Sequence, residues 1–266
     1  MARKRIRNRD QRNIVMNNIK ELKDIHKNKM CFIYGAGCSL NLIDENKLTG
    51  YIGIAVNSGI LKAKKCKNLY YVSDDLGSYY WSYFQLLFEL ENCKVLLYKE
   101  KFEKVYDKLE RIKNRCYEFS HKSFFSPPDI YNFDGLILTK DEPIIGARNG
   151  VNSALHISYI MGCNPIILIG VDNQLSQDGK NYRYFWQYEK ENQPYRIKGT
   201  RFNFLTQNLG FDSKSFIDYW RHFSNVNEDI LGKKVEIINC SDTPEEFNFF
   251  PKMSIEEVLK KYGEVK

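Results

Sequence analysis

Long hydrophobic runs are missing from this chain of 266 residues. No apolar stretch approaches the ~20 residues that a membrane-spanning helix needs. The N-terminus is basic and polar with no apolar segment behind it, so no secretory leader is read there. The seven cysteines are scattered without CxxC or Cys/His ligand spacing, which argues against structural zinc and for a reducing, cytoplasmic setting. Cys31, Cys163 and Cys240 sit in or beside apolar runs and read as small buried hydrophobes. No internal repeat or low-complexity segment is visible. Net charge is also missing from most of the chain. Residues 1–30 hold ten Lys and Arg against Asp10, Glu21 and Asp24, a net of +7 that equals the formal charge of the whole chain, so residues 31–266 balance. The basic arm has no aromatics, which argues against stacking on a nucleic-acid single strand. It could meet an anionic lipid surface, nucleic acid or an acidic partner, or be a solvated leader to a helix.

What is present suffices for a sizeable core: 43% hydrophobic and 14% aromatic residues, in a length that holds one α/β domain with an insertion or two small domains. The most informative stretch is 145–174. Val151, Ala154, Leu155 and Met161 share one helical face with Ser158, and Ile157 and Ile160 widen it. Gly162 stops that helix and Asn164-Pro165 prevents its resumption. Ile166-Ile167-Leu168-Ile169 then reads as a buried parallel strand, ending in Gly170, Asp172, Asn173 and Gln174.

Earlier in the chain, Ile14, Val15, Ile19, Leu22 and Ile25 have helical spacing over 11–28. Met30-Cys31-Phe32-Ile33-Tyr34 is a strand running into Gly35-Ala36-Gly37-Cys38-Ser39-Leu40. A strand followed by G-x-G lets backbone N–H groups approach a phosphate, although the third glycine of the dinucleotide fingerprint is missing. Further strands are expected at 52–56, ending in Asn57-Ser58-Gly59, at 69–72, ending in Ser73-Asp74-Asp75, and at 94–98. Four strand ends of one polar kind suggest one edge of a sheet lined for a ligand. Asp74-Asp75 could hold Mg²⁺ or a ribose, or cap a helix. A charged helix is expected over 101–117 and a strand over 135–139. The aromatic-rich stretch 175–225 reads as a lid over the strand ends or as a satellite apolar cluster. A last strand at 235–239 and a capped helix at 254–262 close the chain.

Gly35-Ala36-Gly37-Cys38-Ser39-Leu40, Asn57, Asn149-Gly150-Val151 and Ile169-Gly170-Val171-Asp172 together resemble bacterial lipooligosaccharide sialyltransferases. They are similar also to the wider group that includes motility accessory factor glycosyltransferases and archaeal-type 6-hydroxymethylpterin pyrophosphokinases. Gln177-Asp178-Gly179-Lys180-Asn181-Tyr182 continues the pattern, and the resemblance covers roughly residues 30–220. It implies a Rossmann-like, mostly parallel α/β sheet with helices on both faces and an aromatic-rich lid. With the charge and patterning read above, the expected division is a basic arm and helix (1–29), a nucleotide-binding core (30–174), a lid or small insertion (175–225) and a strand and helix completing the core (226–266).

By the same resemblance, Gly35, Ala36, Gly37, Ser39 and Asn57 would meet the nucleotide of an activated sugar, a CMP-sugar above all, and Asn149, Gly150 and Val151 would lie against the donor. Tyr182 would help its phosphate leave. The polar strand ends add Ser58, Ser73, Asp74, Asp172 and Asn173 to the expected site, and Arg148 joins them as a basic partner. The implied chemistry needs no metal, only a base and phosphate stabilisation. Two positions depart from the pattern. Ala36 stands where the family has asparagine. In Gly210-Phe211-Asp212-Ser213-Lys214, Asp212 stands where the family has its basic histidine, so Asp212 is the candidate base. Arg148 and Lys214 are candidate phosphate or carboxylate partners. The pyrophosphokinase relatives imply an alternative, Mg²⁺-dependent transfer from ATP to a pterin-like alcohol, with Asp74, Asp75 and Asp172 on the metal. A third reading is a non-catalytic nucleotide- or nucleic-acid-binding protein that uses the basic arm. The arm also leaves open a place at the inner face of the membrane.

Overall fold

The computed structural model describes residues 16–121, 143–144, 150–172, 184–188, 193–195, 197, 235–245, 248 and 250–263. Within them lie strands β1 (Asn17–Asn18), β2 (Cys31–Tyr34), β3 (Ile52–Val56), β4 (Asn68–Ser73), β5 (Cys93–Tyr98), β6 (Cys116–Phe119), β7 (Ile166–Ile169) and β8 (Ile237–Asn239). Helices are α1 (Ile60–Ala63), α2 (Ser82–Gln85), α3 (Lys99–Phe102), α4 (Gly150–Ile160) and α5 (Ile255–Tyr262), with short 3₁₀ turns between. The eight strands form one sheet in the order β1-β6-β5-β4-β3-β2-β7-β8, and every strand pair in it is parallel. The chain is an α/β protein.

Strand residues alternate between two cores. Cys31 and Ile33, Ile52 and Ile54, Tyr70 and Val72, Ile166 and Leu168 join α4 in one cluster. Phe32 and Tyr34, Leu69 and Tyr71, Val95 and Leu97, Ile167 and Ile169 face α1, α2, α3 and α5 in the other. Strands buried on both faces must be apolar at every position, which is why the runs at 31–34, 52–56 and 166–169 are so legible. The order reverses beside β2: successive strands β3 to β6 step away on one side, and β7 and β8 lie on the other. The carboxyl ends of β2 and β7 therefore flank a topological switch point, where such sheets bind ligands.

Helix α4 begins at Gly150, and all eleven of its residues are buried, including Asn152, Ser153, His156 and Ser158. The expected apolar stripe is thus part of a helix covered all round. Gly162 leaves it with φ +79°, and the Asn164–Pro165 peptide is cis.

Two expectations are corrected. Residues 17–28 are not one amphipathic helix. Asn17–Asn18 pairs with Tyr117 and Glu118 of β6, and a capping box of Asn18 and Glu21 opens a single 3₁₀ turn, Ile19–Leu22. Beyond it, the N–H groups of Asp24, His26 and Asn28 donate to the carbonyls of Ile160, Met161 and Gly162 at 3.0, 2.9 and 2.8 Å. Those backbone groups satisfy the open carboxyl end of α4 instead of a helix of their own, and Ile25 is left exposed.

The charged stretch 101–117 is also not one helix. It breaks into α3, two 3₁₀ turns (Glu103–Lys108 and Glu110–Arg115) and strand β6. Arg115 fixes the break. Its Nη1 donates to the carbonyls of Leu90 and Cys93 at 2.7 and 2.8 Å, and its Nη2 to that of Leu87 at 2.6 Å. Arg115→Met keeps the stem but removes all three charge-assisted bonds. It is expected to cost about 2–4 kcal/mol, seen as a lower urea midpoint with unchanged slope. A loss below about 0.5 kcal/mol would show that water replaces the guanidinium.

Strands 52–56, 69–72, 94–98 and 235–239 occur with shifts of at most two residues at an end. The helix at 254–262 starts from the expected cap, Ser254 with Glu257. The expected strand at 135–139, residues 1–15 of the basic arm and most of 175–225 lie outside the described residues. No described helix is long and apolar enough to cross a membrane.

Candidate functional site

At the switch point, glycine lets two strand ends touch. Gly35 N–H donates to the Ile169 carbonyl, and Gly37 N–H to that of Gly170, both at 2.8 Å. A Cβ on Gly35 would stand 2.2 Å from the Gly170 carbonyl oxygen, and one on Gly37 2.5 Å from Asp172 Cγ. Gly59 packs from the other side, where a Cβ would meet the Tyr34 and Gly35 carbonyl oxygens at 2.4 and 2.6 Å.

The Asp172 carboxylate is buried and fully engaged. Its Oδ2 accepts from Ser39 N–H at 2.8 Å and from Cys38 Sγ at 3.3 Å, and its Oδ1 accepts from Ser39 Oγ. A carboxylate from the segment after β7 thus caps the Cys38–Leu42 turn that follows the glycine loop. That is the position at which related loops present N–H groups to a phosphate, and here a protein anion holds it. Ala36 and Gly37 of the glycine loop are partly exposed.

The ends of β3 and β4 form a second group. Asn57 has φ +49°, a left-handed conformation that asparagine tolerates better than most residues. Ser73 Oγ bridges Asn57 Oδ1 at 3.2 Å and Ser78 Oγ at 2.8 Å, and Ser73 is completely buried. It braces the loop, while Asn57 stays partly open and Ser58 is buried beside it. Asp75 caps a turn through Gly77 N–H at 2.9 Å, so of its possible roles the structure displays the capping one.

Asp74 belongs to a third group. It is buried against the start of α4, where a Cβ on Gly150 would lie 3.4 Å from its Oδ1. Ser153 Oγ donates to Asp74 Oδ2 at 3.2 Å and lies 3.1 Å from His121 Nε2. His121 stacks on Tyr98 with ring centroids 4.1 Å apart. Burial raises the Asp74 pKa, with Asp75 adding to the rise and Lys101 and the Ser153 bond opposing it. Burial first, then Lys101 and His156, depress His121 to about 4. Because Ser153 stands between acid and imidazole, this is not a nucleophilic triad, in which the imidazole must stand between.

No family model, curated protein or solved structure matches this chain.

An aromatic wall adjoins the glycine loop. Gly37 and Tyr184 form an antiparallel bridge, and Phe185 N–H donates to the Ala36 carbonyl at 3.0 Å. Tyr184 stacks on Trp186 at 5.1 Å, and Trp186 leans on Trp81 at 6.0 Å. A separate groove of about 700 Å³ opens beyond β8, lined by Ser39, Asn239, Ser241, Lys252 and Glu256 among others. It reaches the switch point at Ser39 and carries charged groups of its own, Asp44, Lys47, Asp242, Lys252, Glu256 and Glu257.

Among the described residues, no group of three or more His, Cys, Asp or Glu is placed to hold a metal ion. Asp172 and Asp74 follow strands three places apart in the sheet, β7 and β4. Burial pushes the thiols of Cys66, Cys93, Cys116 and Cys240 up to about 11, 12, 12 and 12, so none of these four is a thiolate nucleophile at neutral pH.

Of the residues singled out by sequence, Gly35, Ala36, Gly37, Ser39, Asn57, Ser58, Ser73, Asp74, Gly150, Val151 and Asp172 all lie at the carboxyl edge of the sheet or the facing end of α4. Arg148, Asn149, Asn173, Tyr182 and Asp212 lie outside the described residues. Sequence reasoning missed His121, Ser153 and Ser78, and read Gly59 only as part of its strand's end. A polar residue inside an apolar helical stretch, as at Ser153, was the one available signal.

Proposed function

We propose that this protein is a glycosyltransferase with a Rossmann-like core, binding a nucleotide-activated sugar across the carboxyl ends of β2, β3 and β4. The observation that carries the reading is the glycine loop after β2, which sits at the switch point beside the polar ends of β3 and β4 and the amino end of α4. Close-packed glycine draws the ends of β2, β3 and β7 together, and Asn57 offers the donor a side-chain amide. With Asp172 already capping the turn after the loop, the donor phosphate is better placed toward Gly150, where the α4 dipole favours negative charge. The resemblance to sialyltransferases makes CMP the first nucleotide to test, and the wall of Trp81, Tyr184 and Trp186 suits a sugar or base ring. The base of the transfer, the sugar and the acceptor belong to the same proposal.

A thermal-shift panel with CMP, CDP, UDP, GDP and ATP, each with and without Mg²⁺, tests it. A ligand that binds only the folded chain at 100 times its Kd stabilises by about 2.7 kcal/mol. CMP is expected to raise Tm equally with and without Mg²⁺. Absence of any shift with the pyrimidine nucleotides would reject the donor assignment, and a shift with ATP and Mg²⁺ alone would replace it by pyrophosphoryl transfer.

A further inference from the structure

Three elements converge on one hydroxyl. Asp74 follows β4, His121 follows β6, and Ser153 lies in the first turns of α4. Ser153 Oγ is within hydrogen-bond distance of both Asp74 Oδ2 and His121 Nε2. A hydroxyl has one proton to give, so the line of three has two consistent patterns. In one, His121 Nε2–H donates to Ser153 and Ser153 donates to an ionised Asp74. In the other, a protonated Asp74 donates to Ser153 and Ser153 donates to a bare Nε2, with the ring proton on Nδ1. Imidazole is neutral in both. Nδ1 has no hydrogen-bond partner among the described residues, and the ring is only partly buried.

We propose that Asp74, Ser153 and His121 form a proton relay in which His121 Nδ1 takes the proton of an acceptor hydroxyl and Asp74 stores it. The assignment rests on the glycosyl-transfer reading only for the identity of that hydroxyl. As the acceptor oxygen bonds to the transferred carbon, its proton goes to Nδ1. The Nε2 proton passes to Ser153 Oγ, and the Ser153 proton passes to Asp74 Oδ2. The bond from the same carbon to the donor phosphate breaks, and its electron pair leaves on the phosphate. Imidazole ends neutral with its tautomer exchanged, so no cation is created beside Lys101, which acts on both His121 and Asp74. The other groups facing the relay are Asp75 beside Asp74, and His156 and the stacked Tyr98 beside His121. A histidine too weakly basic to hold a proton alone still serves as a base when a buried carboxylate takes the proton onward.

The test is nitrogen NMR of the histidine-labelled full chain, with the His121 signals assigned by their loss in His121→Phe. On lowering the pH from 8 toward 5.5, the His121 proton is expected to move from Nε2 to Nδ1 while the ring stays neutral. Ser153→Ala and Asp74→Asn, two independent lesions, should each abolish the exchange. A His121 tautomer insensitive to pH, or an exchange that survives both substitutions, overturns the relay. With a donor and acceptor in hand, Ser153→Ala should lower kcat on the order of 10²-fold or more at unchanged donor KM, and wild-type turnover in that variant would likewise overturn it. An intact exchange in a protein that binds no nucleotide upholds the relay and rejects the donor assignment, so the two fail separately.

Discussion

Asp172→Ala is expected to cost about 3–5 kcal/mol of stability, because it leaves three donors pointing at an empty space. Ser39 N–H, Ser39 Oγ and Cys38 Sγ all converge on that carboxylate, and a buried donor left unpaired costs roughly 1–3 kcal/mol. Asp172→Asn preserves the shape and one accepting oxygen for Ser39 N–H, so its expected cost is smaller, about 1–2 kcal/mol. Gly37→Ala attacks the same contact from the other side, since its Cβ would stand 2.5 Å from Asp172 Cγ and the carboxylate is pinned and cannot swing away. The two lesions must therefore be strongly non-additive: Gly37→Ala should be expensive in the wild type and cheap once Asp172 is alanine. Urea denaturation of the four members of the cycle measures this directly. Additive costs would mean that the carboxylate does not hold the glycine loop.

Acid is expected to destabilise the protein through His121, and the sign follows from the direction of its shift. The folded-state pKa of about 4 lies below the ordinary 6.5. The unfolded chain therefore binds a proton that the folded chain refuses, and stability falls as pH drops through that window. At 1.36 kcal/mol per pK unit the loss approaches about 3 kcal/mol near pH 4. His26 acts in the same sense, because burial and Lys94 lower its pKa. Asp74 acts in the opposite sense. Its raised pKa makes the folded state the tighter proton binder, so it contributes stability at low pH that is lost as pH rises through its folded pKa. His121→Phe, which keeps the stack on Tyr98, should flatten the acid limb of a stability profile taken from pH 7.5 to 4.5. Asp74→Asn should raise Tm at pH 7.5 by a few degrees, and its advantage should shrink as the pH falls. Unchanged acid sensitivity in His121→Phe would show that His121 is not buried neutral.

Much of the architecture was legible in the linear chain, for one reason. A parallel strand covered on both faces tolerates no polar interior, so Cys31–Tyr34, Ile52–Val56 and Ile166–Ile169 announce themselves as continuous apolar runs. Gly162 and Ser254 mark helix ends by local chemistry alone. The polar residues that end β2, β3, β4 and β7 were likewise readable, and because the sheet is parallel they lie on one edge. Strand β6 was not readable. Its interior residues Tyr117 and Glu118 are half-buried beside the sheet's outermost strand, and an edge position relaxes the demand for apolar residues. Residues 24–28 looked helical by spacing, but their N–H groups serve the end of α4, a partner far away in sequence.

Sequence by itself thus determined which segments are buried strands and that their ends are polar, because those properties depend on each residue's own burial and local turn. Only the tertiary structure decided which polar ends meet. Asp172 reaches Ser39 because β7 lies beside β2, and His121 reaches Asp74 through Ser153 because α4 crosses the ends of strands that the chain visits at widely separated points. Strand order and helix placement come from packing the whole sheet, and no local stretch encodes them.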